Sequence, residues 1–140
     1  MVQLSQSGYT HVLHTVSEED FKHYQKSIPK IIKLSIKAGL KVYVSPWGVG
    51  KVFGGEPFSQ IASKNPQAAQ VTNFDKHLMS ACPNSPVFRE YMTRWIEFVC
   101  STEVETIFWD EPHLFFEKKS KEIWSCICNT CKKKFYQQHH

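Results

Sequence analysis

The chain has 140 residues, 41% hydrophobic and 21% charged, the proportions of one globular domain rather than of a disordered or fibrous segment. No apolar run approaches the roughly 18 residues that span a bilayer, and Met1-Val2-Gln3-Leu4-Ser5 lacks the basic-then-apolar layout of a secretory signal. The expected setting is therefore cytoplasmic, with no membrane partner. The formal net charge is +4, but residues 1–113 carry eleven cations against eleven anions, so the whole excess lies in residues 114–140. A neutral body without a basic stripe of interleaved aromatics excludes nucleic acid as an expected partner.

Tyr9 to Val16 is rich in β-formers and ends at Ser17, which together with Asp20 has the pattern of a helix N-cap. Phe21, Tyr24, Ile28, Ile31, Ile32 and the run Leu34 to Ile36 then follow helical spacing, with Lys22, Lys26, Lys30, Lys33 and Lys37 on much of the solvent side. Pro29 predicts a kink in this single helix, and Gly39 predicts its end. Leu40 to Ser45 reads as a second strand, which makes a βαβ unit and hence parallel strands. Pro46 to Ser85 is polar and contains glycine and proline. It reads as one long connection, of the kind that is functional or disordered.

From Pro86, the apolar face of Val87, Phe88, Tyr91, Met92, Trp95, Ile96 and Val99 predicts a helix, with Cys100 a buried thiol near its end. Glu105 to Trp109 is the expected third strand. The terminal His139-His140 reads as a tag remnant and is left out of the chemistry. Strands alternating with helices, with a long loop after a strand, are the wiring of an α/β (β/α)8 TIM barrel, whose active sites lie in those loops. A whole barrel takes about 250 residues. The expectation is a partial barrel of three parallel strands, one domain over residues 1–140, with a cysteine-rich loop at 114–137 inside it; a small open α/β domain is the alternative.

Asp110-Glu111-Pro112-His113 places two acids and a histidine just past the third strand, where a barrel gathers catalytic groups. Glycoside hydrolysis needs a proton donor at the leaving oxygen and a second carboxylate on the other face of the sugar. Glu111 fits the donor, since desolvation by Phe108 and Trp109 would raise its pKa. The same acids could instead cap a helix or solvate a turn. Trp47, Phe53, Trp109 and Phe115 offer flat surfaces for sugar rings, and Glu56 and His113 offer polar contacts; the aromatics could equally be core.

Five cysteines occur: Cys82, Cys100 and a Cys126-x-Cys128-x-x-Cys131 cluster. Three thiolates this close suit a structural tetrahedral Zn2+ with four N or S ligands, and a cytoplasmic chain uses such spacing for metal more than for disulfides. Cys82 and His113 are both candidates for the fourth ligand. Four thiolates around zinc leave a net charge of about −2, a favourable field for Lys132, Lys133 and Lys134. Reduced free thiols, or a redox or metal-handling role, are the competing readings.

Cys82-Pro83-Asn84-Ser85-Pro86, then Phe88-Arg89-Glu90-Tyr91, a strand ending in an acid–Glu pair and the later Cys-x-Cys-x-x-Cys resemble the beta-galactosidases of glycoside hydrolase family 42. The resemblance covers residues 39–136. It implies that Cys82 joins Cys126, Cys128 and Cys131 on zinc, that Gly39 to Val44 is the third barrel strand with Asn65-Pro66-Gln67 in the loop after it, and that 105–109 is the fourth. It also implies that Glu111 is the general acid/base. The family carries Asn-Glu where this chain has Asp110-Glu111, and that asparagine touches the sugar 2-hydroxyl, which implies Asp110 as a sugar contact. The family's nucleophile lies on a much later strand. The expectation is thus a glycoside hydrolase-like barrel fragment, a relative of these enzymes rather than a true beta-galactosidase, that acts on O-glycosidic bonds of a carbohydrate substrate when complete and is inactive alone. The alternative is a non-catalytic carbohydrate-binding or zinc-stabilised scaffold module. No pattern sets an oligomeric state.

Overall fold

The computed structural model describes residues 1–140 except Met1, Glu56, Pro57, Lys118, Ser120, Lys121 and His140, and the backbone only of Val2. Glu56, expected as a sugar contact, lies outside the described residues. A short helix α1 (Val2–Gln6) precedes strand β1 (His11–Thr15). Ser17 caps α2 (Glu18–His23): its hydroxyl accepts from the Asp20 backbone N–H, and the Asp20 carboxylate accepts from the Ser17 N–H in return.

The expected single helix is two. The chain leaves α2 at Tyr24 and re-enters helix at α3 (Ile28–Lys37), so Pro29 begins a helix instead of kinking one. In the first turn proline's missing N–H costs nothing, because that group has no intrahelical partner. Gly39 ends α3 as expected, at φ +81°.

β2 (Lys41–Ser45) runs parallel to β1, with Val12 opposite Val42 and Leu13 opposite Tyr43. On its other side lies β5 (Thr106–Ile107), also parallel, so this sheet is open and its three strands stand in chain order. β5 is shorter than the expected Glu105 to Trp109, although the Phe108 N–H still donates to the Val44 carbonyl at 2.8 Å.

The described residues of 46–85 form short elements rather than one long loop. They hold a 3-10 turn at Val49–Lys51, helix α4 (Gln60–Lys64), a second 3-10 turn at Pro66–Ala68, and an antiparallel pair, β3 (Ala69–Val71) and β4 (His77–Ala81). Elements of three to five residues are too short to carry a hydrophobic period. Buried Glu18 organises the first part of this stretch: its carboxylate accepts from Gly50 N at 2.7 Å, Ser59 Oγ at 2.8 Å and Ile61 N at 3.2 Å. Gly50 sits at φ +67° against the Phe88 ring, which leaves no room for a Cβ.

Helix α5 (Pro86–Cys100) buries Phe88, Met92, Trp95 and Val99 against Val42, Val44 and Ile32, as its spacing predicts. Cys100 is exposed, not buried, because it falls off that face. In the C-terminal stretch, expected to be a loop, Phe116 bridges Trp124, Ser125 bridges Thr72, and helix α6 (Asn129–His139) follows. Among the described residues no helix is long and apolar enough to cross a membrane.

Among the described residues, one face of the parallel sheet packs on α3 and α5. Val12, Val42, Val44 and Ile107 turn toward α3 and α5, while the alternate residues include Leu13, 46% exposed. On that same outer face the His11 and Tyr43 rings meet at 5.6 Å.

Candidate functional site

Four cysteines that are far apart in sequence converge at one point. Cys82 directly follows β4, Cys126 and Cys128 follow the Ser125 bridge, and Cys131 lies in the first turn of α6. Their sulfur atoms all lie within 4.8 Å of one another, with Cys82 and Cys128 buried. Cys82 Sγ is 3.5 Å from Cys131 Sγ and 3.6 Å from Cys128 Sγ.

These spacings fit a metal ion. Zn–S bonds of about 2.3 Å put the edges of a sulfur tetrahedron near 3.8 Å, whereas a disulfide needs about 2.05 Å, and all five cysteines are free thiols. The expected fourth ligand is therefore present as Cys82. His113 is not part of the group: it is exposed, and its Nδ1 lies 2.9 Å from the Glu111 carbonyl oxygen.

The surroundings favour negative sulfur at Cys126 and oppose it at Cys82 and Cys131. The Cys82 S–H beside it holds the Cys126 thiol down at about 5, while that same hydrogen bond, with burial, pushes Cys82 well above the usual thiol range. Burial also raises Cys131. One proton-sharing set cannot deprotonate throughout without a cation at its centre, and a divalent ion removes that obstacle. Backbone groups serve the site directly: Val71 N–H points at Cys126 Sγ at 3.4 Å, and Ile127 N–H donates to the Val71 carbonyl at 2.9 Å.

Gln70, unremarked in the sequence, holds the lobe together behind the cysteines. It is fully buried, its amide donates to the Ala81 carbonyl at 3.0 Å, and its carbonyl oxygen accepts from Phe115 N at 2.9 Å and from the Ser125 hydroxyl. A lone glutamine in a polar stretch carries no pattern that would single it out.

The second expected site lies beyond the carboxyl ends of β2 and β5. A cleft of about 470 Å³ is lined by Lys51, Ser80 and the run Glu111 to Phe116. The His113 N–H donates to the Val52 carbonyl at 2.9 Å, which ties this run to the turn after β2. Both Lys51 (φ +51°) and Glu111 (φ +37°) sit in the left-handed region, a backbone cost that tertiary contacts must hold in place. The phrase "Gly-x-Gly-Lys" gives no hint that Lys51 faces Glu111's cleft.

Several expected partners fall elsewhere. Glu111 is exposed, so the flanking aromatic rings do not desolvate it. Trp109 instead packs on Phe53 at 5.3 Å and Trp95 at 6.2 Å, covering the core. Trp47 is 43% exposed and lies over Gly54 and Gly55. Asp110, half-buried, lies with Trp47 and Trp109 outside the cleft lining, whereas His113 lines it. Comparison of the chain with protein-family models, with characterised proteins and with solved structures finds no match.

Proposed function

We propose that the chain is a zinc-stabilised section of a glycoside hydrolase-type (β/α) barrel, with Glu111 as its proton donor. The observation that carries the metal half is the convergence of four thiol sulfurs within 4.8 Å. The ion is zinc and its role is structural, since four protein ligands leave no open position for substrate or water. It fastens the β3–β4 hairpin, residues 122–128 and α6 into one lobe.

The hydrolase half rests on placement. Glu111 lies in a cleft past the carboxyl ends of parallel strands, the end at which such folds bind and react. The bare sheet face with Leu13 and Tyr43 supports the barrel reading, because parallel sheets are covered on both faces and a closed barrel covers that face from within. In this reading Glu111 protonates the departing glycosidic oxygen, and a second carboxylate from a later strand acts on the opposite face of the sugar. Pro112, Leu114 and Phe116 supply an apolar wall for the ring, and the Lys51 ammonium and His113 Nε2 supply polar contacts.

The test uses the longest natural form of the protein on aryl glycosides, with Glu111→Gln as the comparison. Loss of a general acid is expected to lower kcat by about 10²- to 10⁴-fold and to leave sugar binding in place. Equal rates in the two forms would remove Glu111 from the mechanism. Sugar binding without turnover in the unsubstituted protein would favour the non-catalytic carbohydrate-binding reading.

A further inference from the structure

The metal-centre reading leaves Asn84 without a role and gives Lys134 only a share in a diffuse field, and the geometry of the two supplies more. Cys82-Pro83-Asn84-Ser85 forms a tight turn in which Ser85 N–H donates to the Cys82 carbonyl at 2.9 Å, and Arg89 Nε braces the Pro83 carbonyl at 3.2 Å. The turn brings the Asn84 amide Nδ2 to 3.4 Å from Cys131 Sγ. On the far side of the same amide, Lys134 Nζ donates to Asn84 Oδ1 at 3.0 Å.

The direction of this chain is fixed by chemistry. An ammonium can only donate, so the carbonyl end of Asn84 must face Lys134 and the NH2 end must face the sulfur. Cys131 and Lys134 are three residues apart on α6 and so share one face, which lets both reach Asn84. Burial separates Lys134 from its neighbours: it is half-buried, while Lys132 and Lys133 are exposed.

We propose that Asn84 and Lys134 are positioning residues of the metal centre: Lys134 orients the Asn84 amide, and that amide donates to the Cys131 thiolate when metal is bound. This rests on the reading of the four cysteines as a metal site. A hydrogen bond to a ligand sulfur draws off electron density, fixes the side chain's rotamer and slows its departure. The lysine acts through one oriented amide rather than only as part of a diffuse basic tail.

The experiment loads the 140-residue chain with Zn2+ and, separately, Co2+, and compares it with Asn84→Ala, Asn84→Asp and Lys134→Met. Chelator competition reads affinity, and the sulfur-to-cobalt charge-transfer band reads the electron density on sulfur in the folded, metal-bound population. Asn84→Ala is expected to weaken metal binding about 10- to 100-fold and to move the band to lower energy. Asn84→Asp keeps a partner for Lys134 but has no N–H for the sulfur, so it should show the same band shift; Lys134→Met should fall between it and the unsubstituted chain. Asn84 variants with unchanged affinity and band would overturn the inference, as would an Asn84→Asp protein that matches the unsubstituted one, which would reduce the contact to a tether. An unsubstituted chain that takes up neither ion would instead remove the metal reading beneath it.

Discussion

The body of the molecule and its cysteine lobe are organised differently. Among the described residues, fifteen buried apolar side chains from β2, α3, α4, α5, the turns between these elements and Ala81 at the end of β4 form one cluster in the body, while the lobe's separate cluster has three, two of them cysteines. Burial of that many side chains at about 25 cal/mol per Å² can offset the ordering of a small sheet-and-helix layer. Val71, Cys82 and Cys128 cannot do the same for a hairpin, a bridged segment and a helix with no buried residue. On the proposed reading the lobe relies on sulfur coordination and on the Gln70 hydrogen bonds, with β4 anchored to the body through Ala81 and through the Ser59 N–H that donates to the Met79 carbonyl at 2.8 Å. The body is therefore expected to stand without metal, and the lobe is not.

Removing the ion should have the largest effect. Structural zinc contributes on the order of 10 kcal/mol to small zinc-binding peptides, more than the three-residue apolar cluster of the lobe can supply. Treatment with a chelator, or Cys82→Ser, is expected to abolish backbone amide protection in β3, β4, residues 122–128 and α6 and to spare β1, β2 and α5. Hydrogen exchange resolved by segment reads this directly. Uniform loss across the chain would mean that body and lobe are one cooperative unit, and uniform persistence would mean that the lobe needs no metal.

The reverse change attacks the body. Trp95 is fully buried, its Nε1–H donates to the Val16 carbonyl at 3.0 Å, and its ring meets Trp109. Trp95→Ala is expected to cost about 3–5 kcal/mol, read as a lowered urea midpoint, and it also orphans a carbonyl. If body and lobe are independent, zinc affinity of the folded fraction stays that of the unsubstituted chain. A matching drop in affinity would show that the lobe borrows its order from the core.

The same contrast explains what could be read without coordinates. The body was legible because burial leaves a period: the α5 face, the β1–β2 pairing and the stop at Gly39 all follow from spacing that the structure keeps. Tyr24 and Ile28 fit one helical stripe equally well whether or not the backbone unwinds between them, so the break between α2 and α3 left no mark. In the lobe only the spacing of Cys126, Cys128 and Cys131 was visible; it left Cys82 and His113 open as the fourth member, the resemblance implied Cys82, and Cys82 is the one that joins the cluster. Gln70, Asn84 and Lys134 work through single hydrogen bonds from residues with no repeating neighbour, and such contacts have no signature in one sequence. Glu111 falls between these cases: its place after β5 was legible, but its exposure depends on where the Trp109 ring turns.

Acid should loosen both regions for different reasons, and a single substitution separates them. In the body, His14 Nε2 lies 3.0 Å from Ser35 Oγ, which itself donates to the Ile31 carbonyl at 2.9 Å, so the imidazole donates from that nitrogen. Burial lowers the His14 pKa below its ordinary 6.5. The unfolded chain therefore takes up a proton at a higher pH than the folded one does. The resulting stability is present above pH 6.5 and is lost as pH falls through the lower folded value. Asp20 lines the same small cavity. Half-burial makes this the smallest of the expected effects, because solvent still screens the ring. Over the same range protons compete with metal for the cysteines, which loosens the lobe. His14→Gln is expected to flatten the fall in the body's urea midpoint below pH 6.5, while metal release with acid stays as it was. An unchanged slope for the body would mean that its acid sensitivity reaches it through the lobe, and the two regions would then have to be treated as one.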